Sequence, residues 1–442
     1  MKSGRYFAVE LLDRTFRRNS YSNIMLGSAA EKIEPKIGIK EWKFCCALYY
    51  GVIERKITLD HIIGGLSSRP LEKLDSIILN ILRTGIYQIL YMDSVPDNAA
   101  VNESVQLAKE FRKTSASGMV NAVLRNFIRR DKKYDIPEHE TERMSVEYSV
   151  PVWLAESLTA DYGKDMAENL LSDSLGEPPL YIRFNNLRFT EKEFLESWAG
   201  KFEFEKSEYL PFCYKVTGKY FKEAIENSDM LDMGWFHVQD LASQLCCLAL
   251  NPNENDIVID MCAAPGGKTF TMAEMMNGKG RIYAFDQWKH RVKLIENGMK
   301  TLGLENITAQ TGDSSVYREN MPKATKILCD VPCSGIGTVR RKPEVKYKNP
   351  EDFSRLPHIQ YSIAENALNY LADGGEMVYS TCTLRRAEND EVIAKLLENH
   401  PEIEIVKLPE PLGSKFEGIA SIFPIHFGSD GFFIAKLRKK GR

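Results

Sequence analysis

The sequence has no apolar run long enough to cross a bilayer. Its longest apolar stretch, Ser76 to Leu90, is interrupted by Asn80, Arg83 and Gln88, and a spanning helix needs about 18 or more apolar residues in a row. The N-terminus begins Met-Lys-Ser-Gly-Arg and then alternates apolar with charged residues, so it lacks a signal peptide's apolar core. There is no CxxC, and the seven histidines never stand at metal-ligand spacing, which leaves no metal site to expect. Nine cysteines is an odd number in a chain without secretory features, so they are expected as thiols. Low-complexity tracts and internal repeats are absent too. With 43% hydrophobic and 27% charged residues over 442 positions, the composition excludes collagenous, disordered and disulfide-knotted classes. What remains is a cytoplasmic globular protein of two or three domains.

The small net charge of −3 hides an asymmetry: residues 1–133 carry +8 and the remainder −11. A basic first third on an acidic body points to a polyanion contact made by an appended domain, set against the plainer reading of a solvated charged face. The same third reads as helical throughout. Apolar residues recur at three- and four-residue spacing in Tyr6–Leu12, Phe44–Ile53, Leu74–Leu90 and Met119–Ile128, and glycine and proline gather at joints such as Gly64-Gly65 and Pro96. Asp131 to Pro151, polar and containing Pro137, reads as a linker. Beyond it, Leu180–Phe184 and Cys213–Val216 read as strands, and Thr190 with Glu193 as a capping box opening a helix. From Phe236 onward, short apolar runs alternate with helical ones, the pattern of a parallel sheet covered on both faces. The expected division is 1–135 all-α, 136–235 linker and small α+β unit, and 236–442 an α/β doubly wound, Rossmann-like domain.

In such sheets ligands sit beyond the carboxyl ends of the strands, and the unusual residues of this chain fall there. After the first strand comes Cys262-Ala263-Ala264-Pro265-Gly266-Gly267-Lys268-Thr269, a loop whose small residues let backbone approach a ligand at a helix N-terminus. Its end imitates a P-loop, but that pattern needs glycine at position 262, where this chain has cysteine. The second strand ends in Asp286, about twenty residues on, the place of an acid that binds ribose hydroxyls. No GxGxxG accompanies it, which argues against a dehydrogenase. Asp313 follows the third strand, and a lone aspartate there is more often a helix cap. The fourth strand ends Asp330-Val-Pro-Cys333-Ser-Gly and the fifth Ser-Thr-Cys382-Thr. A lone buried cysteine is usually a small core hydrophobe, our reading of Cys45, Cys46, Cys246, Cys247 and Cys329. Two thiols beside an aspartate at one sheet edge instead suggest covalent catalysis.

The set DxCAAPGGKT, DxPCSG and STCT resembles RNA (cytosine-5) methyltransferases that use S-adenosylmethionine. Val238-Gln-Asp-Leu-Ala-Ser-Gln and Asp430-Gly-Phe-Phe are similar to that family's flanking segments, and Val120-Asn-Ala-Val-Leu-Arg125 is similar to the NusB-like RNA-binding domain carried by its bacterial 16S ribosomal RNA members. The resemblance implies a Rossmann-like class I methyltransferase domain with an all-α NusB-like domain and a small α+β RNA-binding unit. It implies Cys262 to Lys268, Asp286, Asp313 and Asp330 around the cofactor, with Lys268 left between cofactor, RNA and Asp330. It implies Cys382 as the nucleophile, Cys333 as the residue that assists release, and Asp330 near ring nitrogen 3. Spacing alone does not separate the two cysteines, since DNA-modifying relatives use the Pro-Cys thiol; the Thr-Cys match does. The basic loop Arg340-Arg341-Lys342, directly after the Pro-Cys motif, is placed to grip phosphates, and Arg183 is expected to touch RNA through the small unit. The expected partner is RNA, first of all 16S ribosomal RNA, met by a monomer with no metal and no membrane contact. Transfer RNA as substrate and a catalytically silent RNA-binding scaffold are the alternatives.

Overall fold

The computed structural model describes residues 2–18, 22–198, 203–217 and 229–441. The chain forms two compact units, residues 1–176 with 339–348, and residues 177–338 with 349–442.

The first unit is helical, as its periodicity predicts. Its main helices are Gly4–Arg18, Ser22–Ile37, Ile39–Glu54, Lys56–Leu66, Ser76–Tyr91, Asp97–Glu110 and Ser117–Arg129. Ser76–Tyr91 is the central one. Asp75 caps it by accepting from the backbone N–H groups of Ile77 and Ile78, and Ile81, Leu82 and Ile86 are fully buried in the shared core. Gly85 lets its neighbours close in, since a Cβ there would stand 2.8 Å from Leu124 Cδ1 and 2.9 Å from Ser104 Oγ. Two expectations are corrected here. Gly64 and Gly65 sit inside the last turns of Lys56–Leu66 rather than at a joint. The segment read as linker contains helix Glu140–Tyr148, which with Val152–Tyr162 and Lys164–Asp173 lies in the same compact unit, up to Gly176. Short amphipathic helices packed on a larger bundle leave no polar gap for the sequence pattern to register.

Residues 339–348 also belong to this unit. Glu344 accepts from the backbone N–H and hydroxyl of Ser22 (3.0 and 2.7 Å), capping the start of Ser22–Ile37 from outside the helix. Lys346 Nζ donates to Glu54 O at 2.7 Å and the Tyr347 hydroxyl to Ile53 O at 2.6 Å, both at the end of Ile39–Glu54. An anion thus meets a helix N-terminus, the favourable sense for its dipole, and two side-chain donors satisfy carbonyls at a helix C-terminus.

The second unit holds two sheets. The smaller, ordered β2-β3-β1-β4, is antiparallel and comprises β1 (Leu180–Phe184), β2 (Glu203–Lys206), β3 (Cys213–Thr217) and β4 (Phe236–Val238). Helix Glu191–Trp198 packs over it, opened by the expected reciprocal bonds of Thr190 and Glu193. The larger contains β5 (Ile257–Asp260), β6 (Arg281–Asp286), β7 (Ile307–Thr311), β8 (Ala324–Asp330), β9 (Leu371–Thr381), β10 (Ile403–Ile405), β11 (Ile419–Ile422) and β12 (Phe432–Lys439), in the order β10-β12-β9-β8-β5-β6-β7 with β11 on β12. β5 to β9 run parallel; β10, β11 and β12 join antiparallel, so the sheet is mixed where the strand pattern predicts parallel. Alternate residues feed two separate cores. Val258, Leu328, Val378 and Ile434 lie in one, and Ile259, Ile327, Met377 and Phe433 in the other. Both faces are therefore covered, which is why these strands read as continuous apolar runs.

Arg183 does not serve as expected. Its side chain on β1 is 3% exposed, and its Nε donates to Glu274 Oε2 at 2.6 Å within helix Gly267–Met275. Burial pushes Glu274 up to about 7 against the pull of Arg183. A buried guanidinium paired in this way presents nothing to a phosphate, and the RNA contact assigned to Arg183 is withdrawn.

Two outcomes follow. Arg183→Met strands the Glu274 carboxylate and should cost about 3–5 kcal/mol of stability in urea unfolding, as breaking a buried pair does; a surface RNA-binding arginine would cost nothing measurable. Lys346 is pushed down to about 7, chiefly by burial, from a usual 10.5. Between those values the unfolded chain binds a proton that the folded one does not, so stability rises with pH across the window. Unfolding free energies measured near pH 6 and pH 9 should differ less in Lys346→Met than in the parent.

Candidate active site

The ends of β5, β6, β7, β8 and β9 bring the sequence-predicted residues of the second unit to one edge of the large sheet. The first loop turns out of β5 at Asp260, whose Oδ2 accepts from Thr269 Oγ1 at 2.7 Å. Burial raises the Asp260 carboxyl to about 7, with the Thr269 bond opposing and the nearby Asp330 charge adding. Ala263 N donates to Phe285 O at 2.7 Å, which draws the loop along β6. Gly266 has φ +118°, and a Cβ there would come within 2.2 Å of the Phe270 ring. Only glycine meets both demands. Helix Gly267–Met275 then starts without a side-chain cap, so its first-turn N–H groups stay available to a ligand.

Asp286, 3% exposed, accepts from Trp288 N at 3.0 Å and pairs with Arg291 Nη1 at 3.0 Å. Arg291 also donates from Nη2 to Ala264 O at 2.7 Å. It therefore braces the acid and the loop together, a role the sequence reading missed; its one signal is its place in the first turn after Asp286. Gly312 N donates to Asp286 O at 2.9 Å, which brings the Asp313 loop alongside. Asp313 itself is exposed and accepts from the backbone N–H and hydroxyl of Ser315 (2.9 and 2.7 Å). That is the cap-like role weighed as its plainer alternative.

β8 and β9 pair in parallel, with Asp330 opposite Ser380. Asp330 Oδ2 accepts from Lys268 Nζ at 2.8 Å and Oδ1 from Ser380 Oγ at 2.8 Å. Burial works against the Lys268 ammonium, but the Asp330 charge outweighs it and holds the lysine protonated. Of the three partners left open for Lys268, the structure supplies Asp330. Ser380 was overlooked although it stands in the quoted Ser-Thr-Cys motif.

Three residues past Asp330 and two past Ser380, Cys333 Sγ and Cys382 Sγ lie 3.2 Å apart. The loops that carry them are fastened to each other by Gly337 N donating to Cys382 O at 3.0 Å and by a 2.7 Å hydroxyl bond between Ser334 and Thr383. Gly337 has no room for a side chain, since a Cβ would sit 2.1 Å from Gly431 O and 2.9 Å from Cys382 O. The hydrogen bond to Cys382, with burial second, pushes the Cys333 thiol well up. The two sulfurs stand within hydrogen-bond reach, and either can be the donor. No cysteine is disulfide-bonded.

Arg340, Arg341 and Lys342 belong to the first unit through residues 339–348, with Lys342 exposed and the two arginines half-buried. Lys346, four residues past Lys342, is fully buried. Among the described residues no cluster of side chains could hold a metal ion, and no helix is long and apolar enough to cross a membrane.

The mixed Rossmann-like sheet, with its glycine loop and the acid after the next strand at one edge, fits the class I methyltransferase domain that the resemblance implies. The comparisons agree. Residues 247–438 match the family described as 16S rRNA methyltransferase RsmB/F, residues 2–129 the NusB family, and residues 150–219 the ferredoxin-like domain of RsmF/B-like methyltransferases. A probable ribosomal RNA small subunit methyltransferase B from Bacillus subtilis (strain 168) is 35% identical over 99% of each chain. The crystal structure of PH0851 superposes with a TM-score of 0.81 over 99% of each chain at 24% identity. A methyltransferase homolog from Pyrococcus horikoshii gives 0.59 over 69% of this chain and 100% of its own, at 26% identity. The chain belongs to the 16S rRNA methyltransferase RsmB/F family.

Removing Cys382 removes the hydrogen bond that, ahead of burial, pushes the Cys333 thiol up. In Cys382→Ala the pH midpoint for iodoacetamide alkylation of Cys333, read by peptide mass mapping, should fall relative to the unsubstituted protein. An unmoved midpoint would mean that burial alone holds Cys333 protonated.

Proposed function

We propose that this protein methylates carbon 5 of a cytosine in 16S ribosomal RNA through a covalent Cys382 adduct. The observation that carries the reading is the pair of thiols 3.2 Å apart, three and two residues beyond an aspartate and a serine, respectively, that bond each other across adjacent strands. Carbon 5 of cytosine is a weak nucleophile, so a thiol pair at this edge has a specific use. Cys382, as thiolate, adds to carbon 6. A C–S bond forms, the C5=C6 double bond opens, and its electrons make carbon 5 nucleophilic. S-adenosylmethionine, when bound, offers a methyl group on a sulfonium for carbon 5 to take. The carbon 5 proton then leaves to a base, the C–S bond breaks, and the double bond re-forms as Cys382 departs with the bonding pair. Cys333, a thiol within hydrogen-bond reach of Cys382 Sγ, is suited to give a proton to Cys382 as it departs.

Asp330 is suited to the ring's amidine edge near nitrogen 3, where charge develops when Cys382 adds. Lys268 and Ser380 fix its two oxygens before substrate arrives. The cofactor fits the bare N-terminus of Gly267–Met275 and the half-braced Asp286. The helix offers N–H donors to a carboxylate, and Asp286 offers acceptors to ribose hydroxyls. The target base must leave any stack to reach this edge, which favours a looped or single-stranded substrate. Ribosomal RNA is preferred to transfer RNA because the relative's name specifies the small subunit and the NusB-family match gives the chain a basic helical unit. Arg340, Arg341 and Lys342 remain candidates for phosphate contacts.

The test incubates Cys333→Ala and Cys382→Ala with bacterial RNA and S-adenosylmethionine and reads a covalent protein–RNA band on a denaturing gel. A band from Cys333→Ala, absent from Cys382→Ala, is the expected result. The reverse pattern keeps the chemistry and exchanges the roles. No band from either, with no methyl transfer by the unsubstituted protein, would favour a silent RNA-binding scaffold.

A further inference from the structure

Three buried polar side chains stand behind the thiols without facing the substrate edge, and none figured in the sequence reading. Glu388 is fully buried. Its Oε2 accepts from the backbone N–H of Ser334 at 2.9 Å, the peptide immediately after Cys333. Gln360, also fully buried, donates from Nε2 to the same Oε2 at 3.0 Å and to Pro332 O at 2.9 Å, the peptide immediately before Cys333. The two peptide groups that flank Cys333 are thus held from one point. Arg385 Nη1 lies 3.0 Å from Glu388 Oε1 and balances the buried charge.

The next residue grips the other loop. Asn389, 1% exposed, donates from Nδ2 to Thr383 O at 3.0 Å and accepts from Thr381 Oγ1 at 2.6 Å, which brackets Cys382 on both sides. The Tyr379 hydroxyl donates to Glu388 O at 2.6 Å and ties the pair to β9. Consecutive residues therefore hold the two cysteine loops, one loop each. A carboxylate with no solvent contact is costly to maintain, and a loop needing only to close could do so through backbone bonds.

We infer that Glu388, with Gln360 and Asn389, is a positioning clamp that sets the Cys333 thiol against Cys382 for the release of methylated RNA. The inference rests on the proposed cysteine roles and adds the residues that make the second thiol effective. None of the three touches a reacting atom. The Glu388 carboxylate bonds the Cys333 side of the pair, so its loss should slow expulsion of Cys382 far more than addition and methyl transfer. In Glu388→Gln, an amide N–H₂ would face donors from Ser334, Gln360 or Arg385 wherever it pointed, and the clamp on Cys333 would open. Gln360→Met removes the second hold at similar volume and leaves Glu388 in place, which guards against a variant that does not fold.

The experiment compares the unsubstituted protein, Cys333→Ala, Glu388→Gln and Gln360→Met on transcribed 16S ribosomal RNA with S-adenosylmethionine. It measures single-turnover methylation, steady-state turnover and the covalent band, with melting temperature as the folding control. For Glu388→Gln and Gln360→Met, turnover should fall about 10- to 100-fold with single-turnover methylation within about threefold of the parent, the size expected of a misplaced group. A covalent band should accumulate as it does in Cys333→Ala. A band from Cys333→Ala with none from either folded clamp variant overturns the clamp alone. So does a parallel fall in both rates, which a merely structural role would give. Absence of a band from Cys333→Ala itself overturns the release role of Cys333, and the clamp with it.

Discussion

The parallel pairing of β8 with β9 is the constraint on which the site depends. Their register sets Asp330 against Ser380, and the two loops leave the sheet side by side. Everything beyond follows from that alignment. Cys333 comes three residues after one partner and Cys382 two after the other, so the thiols meet at 3.2 Å although 49 positions separate them in the chain. Shifting either strand by one residue would turn its side chains to the other face of the sheet, removing Asp330 from Ser380 and Lys268 together. Such a register must be held firmly. Alternation of residues between two separate apolar cores holds it, because any slip exchanges the contents of both.

Much of this was legible in the sequence. Continuous apolar strands alternating with helices announced a sheet covered on both faces, and motifs at strand ends located the edge where Asp260, Asp286, Asp330, Cys333 and Cys382 gather. What escaped has two physical origins. The first is that a short helix inside a polar stretch carries little pattern of its own. Helices between 140 and 173 are short and polar-faced, and only contact with the bundle reveals that they belong to it. The second is that a charged residue looks alike in sequence whether it faces solvent, RNA or a buried partner. Arg183 was read outward and lies inward on Glu274; Lys346 sits in a basic loop and is buried on Glu54 O. Gln360 and Glu388 carry no local signal, because their role exists only once residues 28 positions apart bond to one carboxylate oxygen.

Residues 339–348 illustrate how one stretch can satisfy distant termini. Helix ends leave unpaired N–H groups at one side and carbonyls at the other, and local sequence usually supplies the caps. Here Glu344 completes the start of Ser22–Ile37, and Lys346 and Tyr347 complete the end of Ile39–Glu54. The capping groups come from about 300 residues away in the chain, so no local sequence pattern announces them. The chain leaves the second unit for this purpose directly after the Cys333 loop and rejoins it at Asn349.

The electrostatics of the cofactor edge show a local cost accepted for the site. Lys268 and Arg291 both lie in the first turn of a helix, Gly267–Met275 and Lys289–Leu302 respectively. Cations there oppose the helix dipole by about 0.3–1 kcal/mol each, and acids would serve the helices better. Each instead partners a carboxylate at the end of a strand, Lys268 with Asp330 and Arg291 with Asp286. Without them the edge would concentrate Asp260, Asp286 and Asp330 with no cation on the latter two; Asp260, raised to about 7 chiefly by burial, already carries a smaller push from the Asp330 charge. The two cations keep the remaining acids available as acceptors while fixing the loops between them. Helix stability is conceded at two first turns so that the acids can be concentrated at one edge.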